Sequence, residues 1–148
     1  MNIPLIIFSF ITATILALFE IQIEGPHGWA EKLPTWILKN PFNKVANWPH
    51  LTGYHIYMWL FILTISQSPF VFGLPFSLKQ ELIMIQTWFF ILALEDFMWF
   101  VLNPAWGVKK FFNSHVPWHQ GKILFFPKNY WVSAAILIAL EIFKRSLI

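Results

Sequence analysis

Five histidines and seven carboxylates are the groups of this 148-residue chain that can ligate a metal ion or pass a proton near neutral pH. The histidines are His27, His50, His55, His115 and His119; the acids are Glu20, Glu24, Glu31, Glu81, Glu95, Asp96 and Glu141. With no cysteine, thiolate metal sites, disulfides and thiol nucleophiles are excluded, and a metal must be held by imidazole and carboxylate. Ser66 and Ser68 have no histidine or acid at their depth, which argues against a serine nucleophile. No glycine-rich phosphate loop occurs.

Local spacing alone does not make a metal site. Glu24 and His27 enclose Gly25-Pro26, so they cannot be a helical Glu-x-x-His pair. His115 and His119 enclose Pro117 and do not share one regular helical face, while His50 and His55 would point in different directions on a helix. A site can arise only if separate elements bring these residues together.

Those elements are apolar. Of all residues 57% are hydrophobic and only 11% charged, against about 25% charged in a typical soluble domain. Met1 to Phe19, Ile56 to Leu78, Leu82 to Leu94 and Trp131 to Leu140 contain no Asp, Glu, Lys, Arg or His. The sequence therefore predicts an all-α integral membrane protein, a four-transmembrane-helix bundle in one domain, with spans at 2–23, 51–67, 80–102 and 127–143. Nothing positive precedes the first stretch and no small-residue cleavage site follows, so it reads as a retained span. The connections 26–50 and 104–126 are rich in Trp, Lys and Pro and are expected as amphipathic interfacial segments on one face.

The net charge of +3 is spread through connections without a basic run, a pattern that suits membrane lipids as partners and not nucleic acid. Lys32, Lys39, Lys44, Lys109, Lys110, Lys122 and Lys128 fall on the long-connection side; Lys79, Lys144 and Arg145 fall on the other. This bias favours cytoplasmic connections and external termini, in a bacterial or archaeal cell membrane. A homo-oligomer or a larger membrane complex is an open possibility for so small a bundle.

Depth then selects the candidate site. Glu95 and Asp96 precede Asn103 by eight and seven residues, about 10 to 12 Å below the long-connection face; His55 lies about 9 Å and Glu20 about 7 to 8 Å below it. Glu141 lies near the opposite face. On the first span Ser9, Ala13, Ala17, Glu20 and Glu24 form one stripe of small and polar residues that should face the bundle. Thr52, His55, Trp59, Ile62 and Ser66 form a second stripe. On the third span Gln86, Ala93, Asp96 and Asn103 form one line and Glu81, Trp88 and Glu95 another; both can face inward only on a central helix or around a wide pocket.

Acids at this depth need protons, hydrogen-bond donors or a cation. The reading is a divalent metal site (Zn, Fe or Mn) with ligands His55, Glu95, His119 and Glu24, and with Asp96 for proton transfer. Glu20, His27 and His115 are further members. The implied activity is a membrane enzyme using metal-activated water or oxygen on a lipid-like or apolar substrate. Two other readings stand beside it: a non-catalytic membrane subunit whose polar cluster locks helices together, and a small proton-coupled transporter.

Overall fold

The computed structural model describes residues 1–39, 50–112, 116, 118–119 and 121–147, and the chain is mostly helical. Four helices occupy the regions of the four apolar stretches: α1 (Ile3–Glu24), α2 (Gly53–Ser66), α4 (Leu78–Leu102) and α6 (Lys128–Ser146). A turn of helix, α3 (Ser68–Val71), follows α2, and α5 (Gly107–Phe111) follows α4. Two helices, α1 and α4, are long and apolar enough to cross a membrane.

Each long helix starts where a polar side chain can take up a free backbone N–H. Asn2 accepts from the N–H of Leu5 (3.1 Å) at the start of α1. Ser77 accepts from Gln80 (3.2 Å) at the start of α4, and its hydroxyl donates to the Gln80 side chain (2.9 Å). Gly25, at φ +62°, closes α1, a backbone setting that disfavours a β-carbon. Asn103 closes α4, donating to Gly25 O (2.9 Å) while accepting from Ala105 N (3.0 Å). The two helix ends are thus tied at one level.

The central element is α4. Helices α1, α2 and α6 all pack on it, and among the described residues neither α1 and α2 nor α2 and α6 form a comparable helix pair. Ser9, Ala13, Ala17, Glu20 and Glu24, the stripe read from the sequence, are the buried residues of α1. One apolar cluster joins Ala13, Ile62 and Ile91 across α1, α2 and α4. A larger one gathers Ala17, Trp99, Phe100, Phe111, Val116 and Trp118 near the long-connection face.

The described parts of the two connections hold turns, two-residue strands and one short helix. The described part of the first is turns followed by a strand, β1 (Ile37–Leu38), paired antiparallel with β2 (Leu51–Thr52) just before α2. Pro26 and Pro34 suit this path, because proline lacks the N–H that a helix interior requires. The second contains α5 and a hairpin, β3 (Lys122–Ile123) with β4 (Phe126–Pro127). Trp118 lies against Gly28 and Trp36 against Gly53 so closely that a β-carbon at either glycine would collide with the ring. Glycine therefore sets how near the connections approach each other and the start of α2. Residues 40–49, 113–115, 117 and 120, including His115 and Lys44, lie outside the described residues.

Candidate functional site

A cavity of about 460 Å³ opens between α2, α4 and α6 under the long-connection face. Four acids line it, Glu20, Glu24, Glu95 and Asp96, together with His55 and His119. No Lys or Arg is found among its described lining residues.

Its first half is built by the ends of α1 and α2. Ligand atoms of Glu20, Glu24 and His55 lie within 4.8 Å of one another, and all three residues are buried. Ligands of one ion sit at most about 4.2 Å apart, twice the usual metal–ligand length. A small contraction would close this group on a cation. The His55 ring is held from two sides: Nδ1 is 2.7 Å from Thr52 Oγ1, and Trp29 stacks on its face at 4.2 Å. Thr52 also caps α2 through the His55 backbone N–H (3.4 Å). With Nδ1 engaged, Nε2 is the nitrogen available to a ligand.

Glu24 ends α1 and is gripped by backbone. The N–H groups of Trp29 and Ala30 both donate to its carboxylate. They do so because Trp29 and Ala30 take positive φ (59° and 53°), a left-handed setting that costs an L-residue roughly 1–2 kcal/mol. Trp29 is fixed further by its indole N–H, which donates to His50 O at 2.8 Å. Glu20 is hydrogen-bonded to Glu95 and to Tyr54, linking α1 to α4 and α2.

The second half centres on Asp96. His119 Nε2–H donates to Asp96 Oδ2 (3.0 Å), and the Tyr130 hydroxyl donates to the same oxygen. His119 is buried among Phe100, Phe111, Trp118 and Tyr130, whereas the Asp96 side chain is 32% exposed, toward the cavity that it lines. Three of the described residues that line this cavity carry a buried polar atom without a hydrogen-bond partner: Glu95 Oε1, Trp99 Nε1 and His119 Nδ1. Orphaned buried polar atoms are uncommon and costly, so these three mark the polar end of the cavity.

The residues singled out from the sequence separate accordingly. Glu24, Glu20 and His55 come together, Glu95 joins them through Glu20, and Asp96 faces the same cavity. His119 is paired with Asp96 instead of joining the group of Glu24 and His55. His27 is off the cavity, with Nδ1 3.8 Å from Glu31. Glu141 is bound to Lys144, Arg145 and Gln86 in a separate polar cluster.

Tyr130, Trp29 and the Ala30 N–H were not read from the sequence. Tyr130 had a usable signal, since it stands three residues after Pro127, on the same long-connection side as Asp96. The positive-φ turn at Trp29-Ala30 had none, because neither residue type favours that conformation. Comparison of the chain with protein-family models, with curated proteins and with solved structures gives no match.

Proposed function

We propose that the chain is a four-span membrane protein whose cavity binds a divalent ion and serves as a metal-dependent enzyme on a lipid-like substrate. The membrane reading draws on the length and apolar character of α1 and α4, and on the apolar residues exposed along α1, α2 and α6. Helix α2 is short at 14 residues, about 21 Å, and the apolar run through α3 extends it. The observation that carries the metal reading is the buried Glu20, Glu24 and His55 group, with the unpartnered Glu95 Oε1 beside it. Imidazole and carboxylate suit Zn, Fe or Mn.

When bound, such an ion supplies a Lewis acid that activates water or polarises a substrate oxygen. The chain's own residues do the rest. Thr52 and Trp29 hold the His55 ring, and Trp29 and Ala30 hold Glu24. Asp96, open to the cavity and backed by Tyr130 and His119, is the group placed to accept or return a proton.

Elemental analysis of protein purified in detergent without chelator tests this. A stoichiometric divalent ion is expected in the wild type and in Asp96→Asn, with loss in His55→Ala and Glu20→Gln. Retention should also fall on acidification, because protons compete for the same ligands. A folded, metal-free wild type overturns the proposal.

The other supported reading is a structural polar lock. Asp96 joins α4 to α6 and to the second connection, and Glu24 joins α1 to the first. That reading is favoured if the same substitutions lower thermal stability while no ion is ever present.

A further inference from the structure

We infer that the cavity takes a single-chain amphiphile with an uncharged, hydroxyl-type head, admitted sideways from the bilayer between α2 and α6. The inference rests on the membrane reading above, and it names the substrate class of that site. Both helices pack on α4, and among the described residues they form no comparable pair with each other, so the groove between them has α4 as its floor. The groove is polar at one end and apolar at the other. Met58 of α2, Leu92 of α4 and Val132 and Ile136 of α6 line the part that runs away from the acids. That is the profile of a head-and-tail molecule lying along the helices. A volume of about 460 Å³ falls in the range of small-molecule sites, about 300–1,000 Å³.

The head is specified by what the cavity lacks and what it leaves unpaired. Four carboxyl groups line it with no Lys or Arg among its described lining residues, so a phosphate head would find no lysine or arginine there to pair with. Of the residues that line it, Trp99 Nε1–H lacks an acceptor, and Glu95 Oε1 and His119 Nδ1 lack a donor. A hydroxyl can serve both needs. Small residues, Ala93 on α4 and Ser133 on α6, line the groove and leave its width to the guest.

The test uses full-length protein in lipid nanodiscs and a photoreactive long-chain alcohol, with a photoreactive alkyl phosphate of the same chain length as comparison. The expected result is alcohol labelling of α2 and α6 residues on the groove, suppressed by excess unlabelled alcohol. Labelling should fall at least tenfold in Ser133→Trp and in Ala93→Leu, and the phosphate should label at least tenfold less than the alcohol. Labelling that resists competition, or equal labelling by the phosphate, overturns the inference. So does undiminished labelling in a groove variant that keeps the wild-type melting temperature. The metal content of the same samples is read separately, so failure of the amphiphile and failure of the metal centre give different results.

Discussion

Phe100→Ala should destabilise the protein by about 3 to 5 kcal/mol, the range for removing a fully buried aromatic ring from a packed core. Phe100 has no exposed surface. Its ring contacts Trp99 (5.1 Å between centroids), Trp106 (5.7 Å), Phe111 (5.4 Å), Trp118 (6.1 Å) and His119 (5.0 Å). These rings come from α4, α5 and the second connection. Truncation leaves a void that stiff indoles cannot close by changing rotamer. Thermal unfolding in detergent reads the effect as a large fall in midpoint, with partial recovery in Phe100→Leu. A fall in Phe100→Ala no larger than that for an exposed residue such as Phe19 would show that the aromatic cluster does not hold the connection down.

Asp96→Ala is the second large loss. It removes the acceptor of two buried donors, His119 Nε2–H and the Tyr130 hydroxyl, leaving both unpaired among aromatic rings. Each orphaned group costs about 1–3 kcal/mol, so a total of about 2 to 6 kcal/mol is expected. Tyr130→Phe in the same background should then cost less than Tyr130→Phe alone, because the orphan it removes is already unfavourable. A double-mutant cycle on unfolding midpoints measures this coupling. Strict additivity would mean that the two side chains do not share Asp96 in solution. Asp96→Asn keeps an acceptor oxygen and should retain most of the stability, which separates structural loss from loss of proton transfer.

How much of this was legible depends on contrast along the chain. In α1, Ser9, Ala13, Ala17, Glu20 and Glu24 stand out against Ile, Leu and Phe, and the residues that looked different are the buried ones. In α4 the contrast fails, because three helices pack around it and several of its faces are covered. The sequence left open whether Glu95 or Asp96 faces inward. Both do, Glu95 toward Glu20 and Asp96 toward His119 and Tyr130, which is possible because α4 is central. The roles of His119 and Glu24 were illegible for another reason: each is set by a turn whose path depends on distant partners. His119 reaches Asp96 from a segment after Pro117, and Glu24 is capped by an uncommon left-handed turn. The β1–β2 pairing joins residues on either side of a long connection, and its two-residue strands carry no periodicity to read.

The hub position of α4 also orders events during synthesis. Helix α1 buries its polar stripe against a partner whose contacting residues lie far along the chain; the bond from Asn103 to Gly25 spans 78 residues. Until α4 is made, Glu20 lacks its partner Glu95, and loop closure over that distance comes late. Nascent chains ending after Phe76 should therefore hold α1 and α2 as separate helices, read as absence of crosslinking between them, with association appearing only when α4 is complete. The interval before α4 arrives is when a chaperone or a degrading protease has its best access to this chain.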